Sequence, residues 1–162
     1  NDSISTAKIA DSSVTAEKLS NIYKARAFRQ SSSQTLSNNT LTKIQLNGET
    51  YDPNSNFDST TNFRYVAPVD GYYLVTAGVG LITTGVSNAY RYCLIYKNGS
   101  EVTRGQRTDA GQNIITNVNV SDIIQLNATD YVELWAFGDG GANVTVAMGS
   151  PQTFMSVHWL SQ

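Results

Sequence analysis

Val69 to Ile82 reads V-D-G-Y-Y-L-V-T-A-G-V-G-L-I, the longest apolar run in the chain, and it opens on an Asp70-Gly71 turn signal. Tyr73, Val75, Ala77, Val79 and Leu81 fall on one side of an extended chain, while Tyr72, Thr76, Gly78 and Gly80 on the other side are smaller or more polar. This period of two, with β-formers in a row from Tyr72 to Val75, predicts a long strand buried on at least one face. Gly78 and Gly80 predict a bend or the close approach of another backbone. The rest of the chain reads as built around this strand.

From Lys24 onward, short strands alternate with turn chemistry. Ala25 to Arg29 reads as the first, S-S-S-Q-T-L-S-N-N-T as a loop, and Leu41 to Leu46 as an alternating strand closed by Asn47-Gly48. Y-D-P-N-S-N-F-D-S-T-T-N reads as loop, since Pro53 cannot donate to a ladder, and Phe63 to Ala67 then leads through Pro68 into the central strand. Tyr90 to Tyr96 sets Tyr90, Tyr92, Leu94 and Tyr96 on one face and turns at Lys97-Asn98-Gly99-Ser100 into Glu101 to Arg107. Asn113 to Val120, Ile123 to Leu126, Tyr131 to Phe137, Asn143 to Met148 and Thr153 to Leu160 follow, with Asp139-Gly140-Gly141 as a further turn. About ten strands at such spacing, with helix confined to the N-terminal edge, predict an all-β antiparallel sandwich or jelly roll.

The 162 residues suit one domain, which at this size buries roughly 70% of the surface of its unfolded chain. A formal net charge of −2 with 15% charged residues argues against a nucleic-acid partner and a polybasic membrane patch. The single Cys93 excludes an internal disulfide framework, and neither a membrane-spanning apolar run nor a signal-peptide pattern is visible. The start at Asn1 reads as a fragment of something longer.

The first 20 residues differ from the rest: they hold no aromatic residue, and Ile4, Ile9, Val14 and Leu19 recur every five residues. Five residues advance about 140° beyond a full helical turn and reach the opposite face of a strand, so neither element buries all of them together. Three readings stay open: a polar linker, the end of a fibrous stalk in which several chains supply the missing partners, and a short helix from Val14 to Ala25. The domain boundary falls between residues 1–23, a stalk or linker, and residues 24–162, a globular head.

The order A-R-A-F-R, Y-D, F-x-Y-V-A-P-V-D-G-Y-Y-L-V, L-I-Y-K-N-G, I-I-Q-L-N-A-T-D-Y-V-E-L and T-F-M-S-V-H-W-L resembles the globular head of the C1q and tumour-necrosis-factor superfamily from Lys24 to Leu160. Its most specific pieces are Pro68 and Gly71 around the central strand, the turn at Tyr96 to Gly99, and Asp130-x-Val132. The resemblance implies a ten-stranded jelly roll that assembles as a homotrimer. Ser156 and Thr129 stand where that family usually has glycine, so the match is to a distant branch. The segment I-x-x-x-x-I-A-D-S-S-V-T-A-E-K-L looks like the shaft or linker sequences of bacteriophage tail and head fibres. Together the two resemblances imply the tip of a fibre.

Nine Tyr, five Phe and two Trp exceed what one sandwich interior readily hides. Alternation puts Tyr92, Trp135 and either Phe154 or Trp159 on faces that cannot all point inward, so all four join Ile4, Ile9, Val14 and Leu19 as trimer-interface candidates. The other reading lays these rings across sheet edges and loops. For a bacterial surface glycan or protein receptor, the candidates are Tyr51, Asn88, Tyr90 and Arg107, with stacking plus hydrogen bonds as the means.

A search for chemistry returns little. His158 sits in a strand with no second His or Cys to complete a zinc site, and Cys93 reads as a buried, inert thiol. No nucleophile elbow or phosphate-cradling loop appears, and Gly138 to Gly141 reads as a hairpin turn. Asp109, Asp122, Asp130 and Asp139 lie in or near loops without the spacing that six to eight calcium oxygens require. Sequons at Asn38, Asn98, Asn119, Asn127 and Asn143 matter only in a eukaryotic secretory setting. The reading is a non-enzymatic virion module without cofactor. The alternatives are a secreted C1q-like or cytokine-like ligand of a cellular organism and, third, a polysaccharide depolymerase built on Glu101 or Glu133 with a nearby Asp.

Overall fold

The computed structural model describes residues 22–82, 89–110, 114–139 and 141–162. Among them are fourteen strands and no helix: β1 Lys24–Phe28, β2 Gln34–Leu36, β3 Thr42–Lys43, β4 Gly48–Tyr51, β5 Phe57–Asp58, β6 Arg64–Val66, β7 Gly71–Ile82, β8 Ala89–Lys97, β9 Ser100–Arg104, β10 Thr108–Ala110, β11 Ile115–Leu126, β12 Tyr131–Gly138, β13 Val144–Val146 and β14 Phe154–Ser161. They pair into two antiparallel sheets. The first runs β2-β13-β7-β14-β1-β4 with β11 on the other flank of β7, and the second runs β10-β8-β12-β6-β5 with β9 on β8 and β3 on β12.

The central strand is β7. Tyr73, Val75, Ala77, Val79 and Leu81 are all buried, as the alternation requires. Opposite them, Cys93 and Ile95 of β8 and Val132, Leu134 and Ala136 of β12 complete the filling between the sheets. Gly78 makes room for side chains: a Cβ there would stand 2.8 Å from Asn119 Oδ1 and 3.1 Å from the Phe154 ring. The close backbone approach falls instead at Gly105, where a Cβ would meet the Asn119 carbonyl oxygen at 2.2 Å.

Several boundaries depart from the sequence reading. The stretches Asn113 to Val120 and Ile123 to Leu126 are one strand, β11, paired with β7 from Ile115 to Leu126. Asp122 does not break it, because its carboxylate accepts from the Thr103 hydroxyl and from the Ile123 amide. Both segments read as loops contain short strands: Gln34–Leu36 pairs with β13, and Phe57–Asp58 pairs with β6. Leu41 to Leu46 keeps ladder pairing only at Thr42 and Lys43, although the Ile44 amide still reaches the Leu134 carbonyl at 2.8 Å. Glu101 to Arg107 is strand only as far as Arg104, where β9 ends; the Gly105 amide then bonds the Cys93 carbonyl at 2.8 Å, and β10 begins beyond the stretch, at Thr108. Lys24 and Ala25 belong to β1, so the helix drawn to Ala25 does not extend that far. The earlier part of that helix and Ile4, Ile9, Val14 and Leu19 lie outside the described residues.

The topology gives the sandwich two distinct poles. Lys24, where β1 begins, pairs with His158, and Tyr72 pairs with Ser161, so β1 starts and β14 ends at one end of the sandwich. β7 runs to the other end at Ile82, and β8 returns from there at Ala89.

Candidate functional site

The outer face of β8 and β12 carries a run of planar side chains, from Tyr90 at the pole opposite the chain's entry to Tyr96 beside Lys97. Residues directly opposed in an antiparallel pair share a face, and Tyr92 opposes Phe137 while Leu94 opposes Trp135. Phe137 stacks with Tyr92 at 4.9 Å between centroids and with Tyr90 at 5.7 Å, and Tyr96 stacks with Trp135 at 4.7 Å. Guanidinium groups sit at both ends of the Tyr90–Phe137–Tyr92 run: Arg107 lies 3.3 Å from the Tyr90 centroid, and Arg104 lies 4.8 Å from that of Tyr92. Burial lifts the Tyr92 phenol above its ordinary value, and the charge on Arg104 opposes that shift.

The backbone fixes this cluster. The Tyr90 amide donates to Asp139 Oδ1 at 2.9 Å, and the Asp139 amide returns a bond to the Tyr90 carbonyl at 3.2 Å. Asp109 of β10 opposes Tyr90 in register. The structure therefore brings together two of the ligand candidates, Tyr90 and Arg107. Tyr51 stands apart on the edge strand β4, in register with Arg26, and Asn88 lies outside the described residues. Sequence reasoning passed over Phe137, Arg104 and Asp109 as members of this group. The face of Phe137 was readable from its alternation with Trp135, but the partners of that face depend on the register between β8 and β12.

The outer face of the first sheet is different. Its cross-strand rows read Asn119–Gly78–Phe154–Phe28, Ser121–Thr76–Ser156–Arg26 and Ile123–Leu74–His158–Lys24. Ile123 is 56% exposed and Tyr72 43%. Phe154 lies on this face, with the Arg26 guanidinium 4.6 Å from its ring, and Arg26 is held by Ser150 O at 2.7 Å and Thr50 Oγ1 at 3.0 Å. Trp159 alternates to the opposite side and packs against the core, its indole N–H directed to the Asp70 carbonyl at 3.4 Å. Tyr92 and Trp135 belong to the aromatic cluster of their own chain.

Groups weighed for chemistry are engaged in packing. Glu133 accepts from Lys43 Nζ and from the Trp135 indole, both at 3.1 Å, and Glu101 grips Arg104 through both oxygens at 2.9 and 2.8 Å. Burial pushes the Cys93 thiol up to about 12. Among the described residues, no group of three or more His, Cys, Asp or Glu could hold a metal ion, and no helix is long and apolar enough to cross a membrane.

No family model matches the sequence. The uncharacterized protein YqcC of Bacillus subtilis strain 168 is 34% identical over 113 residues, covering 65% of this chain, and the chain spans 30% of that relative's length. Among solved structures, the chain is similar to Eiger TNF from S. frugiperda, with a TM-score of 0.66, 10% identity, and 87% of this chain and 94% of that one covered. The globular domain of zebrafish complement 1qA protein gives a TM-score of 0.61 at 12% identity, with 86% and 98% covered. Murine APRIL at pH 5.0 gives 0.62 at 10% identity, with 86% and 100% covered. The fold is thus the jelly roll of tumour-necrosis-factor and C1q domains.

Proposed function

We propose that the chain is the trimeric, non-enzymatic head of a bacteriophage fibre: residues 1–23 end the stalk, and residues 24–162 register three chains and present their far pole to a bacterial surface. The observation that carries this reading is the outer face of the first sheet. It is broad and rich in small residues, and it leaves Ile123 and Tyr72 in water at the pole where the chain enters. Apolar side chains exposed on a flat face beside the entering chain suit burial against further copies of the same chain. Phe154 and Leu74 extend that surface, and Ile4, Ile9, Val14 and Leu19 would meet their counterparts on the axis below it. A relative in a bacterium supports a bacterial setting. In this reading the protein is extracellular, on the virion. Light scattering on the full chain tests it: a mass three times 17.6 kDa is expected, retained when the chain begins at Lys24, and a monomer overturns the trimeric head.

A further inference from the structure

We propose that the Arg107–Tyr90 platform at the far pole binds the carboxylate of an acidic sugar unit. This deepens the reading of that pole as a surface-recognition site and rests on it. The argument starts from the two guanidinium groups on one run of rings. Arg104, over Tyr92, already has a carboxylate: Glu101 engages its Nε and Nη2 in a bidentate pair. Arg107, over Tyr90, is exposed and makes no hydrogen bond or ion pair among the described residues. Stacking on Tyr90 holds the guanidinium in place, and its N–H groups are left without a partner among the described residues. A planar fork fixed in this way matches a carboxylate with two parallel hydrogen bonds. Glu101 on Arg104 is the internal template for what Arg107 would receive from outside.

The neighbouring carboxylate selects the kind of anion. Asp109 is exposed, opposes Tyr90 in register and also makes no hydrogen bond or ion pair among the described residues. Against a bare phosphate or a simple carboxylate it would only repel. A uronic-acid-like sugar places hydroxyl donors beside its carboxylate, so one unit satisfies both Arg107 and Asp109. The face of Tyr90 under Arg107 is taken and Phe137 stacks on the same ring, so recognition runs through the guanidinium and the flanking carboxylate rather than through a sugar stacked on that face.

The test is calorimetric titration of the full chain with tetragalacturonate, with its carboxyl-reduced neutral counterpart and with inorganic phosphate. Saturable binding of the acidic oligomer alone is expected. R107A and R107K should each weaken it by at least about tenfold, the lysine because it cannot form the fork. D109A, which removes the acceptor, should weaken it by about threefold, the effect of one lost hydrogen bond. Both positions are exposed, and an unchanged melting temperature checks that each variant folds. Equal binding by R107A, equal binding of the neutral oligomer, competition by inorganic phosphate, or no binding of the acidic oligomer each overturns the inference. A panel of neutral glycans separates the two levels: neutral binding independent of Arg107 sinks the acidic-sugar site and leaves surface recognition standing, whereas a head that binds neither class and does not adhere to bacterial cells removes both.

Discussion

The two outer faces of the sandwich solve the same problem in opposite ways. On the second sheet the large aromatic side chains are spent on one another: Tyr92 is 9% exposed and Phe137 8%, through stacking with each other, with Tyr90 and beneath Arg104. On the first sheet, small and polar residues, Thr76, Ser121, Ser156 and Asn119, surround apolar ones that remain in water. A face crowded with aromatics is therefore the more self-sufficient one. The plainer face has the unfinished burial, because Ser121 and Thr76, the next row beside Ile123, are too small to cover it from within the chain.

The strongest way to break this comparison is to remove a ring from the self-sufficient face. Phe137→Ala should cost about 3–5 kcal/mol, the range for a buried Phe, and urea denaturation should show that loss without a change of oligomeric mass. A cost near that of an exposed residue would mean the stack is decoration. Ile123→Asp attacks the other face, and there the expectation reverses. The far-ultraviolet circular dichroism should keep its β signature while the mass by light scattering falls to one third, since a carboxylate cannot be buried between copies unpaired. A mass unchanged by this substitution would show that the face is not where chains meet.

Smaller effects sharpen the picture. Cys93 lies on the inner side of β8, back to back with the stacked rings, and its thiol is pushed up to about 12 by burial. Native protein at pH 8 should resist a thiol-specific alkylating reagent and react fully once unfolded; fast native labelling would show that the sandwich opens locally. Asp130, at the entry pole, is held down to about 2, first by the Asn98 side-chain amide and then by the Asn127 amide and Lys97. Its folded value lies below the unfolded one, so its contribution is full above about pH 4 and fades as the pH falls toward 2. Asp130→Asn should flatten that part of the acid-denaturation curve by less than about 1 kcal/mol, given its solvent screening. Smallest of all, Glu101→Ala removes the carboxylate partner of the exposed Arg104 and should leave the melting temperature nearly unchanged, since a solvent-screened pair contributes little.

Much of the interior was legible before any coordinates. The alternation of β7 named its inward face, and that of β8 and β12 divided each strand into two faces; Tyr73, Val75, Cys93, Val132 and Leu134 lie on the buried one. The short pieces were not legible. β2 has only Leu36 buried and β5 only Phe57, too little pattern to stand out from a loop, and both exist because a neighbouring strand offers a ladder. Asp122 misled in the other direction: a lone carboxylate reads as a break until its partner, Thr103 of another strand, is known.

For the candidate site, residue type and face came from the sequence, and association came from the fold. Tyr90 and Arg107 could be named as loop-adjacent ligand candidates, but not as one platform, and nothing local joined Phe137 to either. A period of two fixes the side of a strand on which a residue stands. It says nothing of register, which is set by the turns and by packing across strands far apart in the chain. The sequence by itself determined an all-β sandwich with a particular inner face. The tertiary structure alone decided which outer side chains satisfy one another and which are left open, because those contacts are made between strands and not along them.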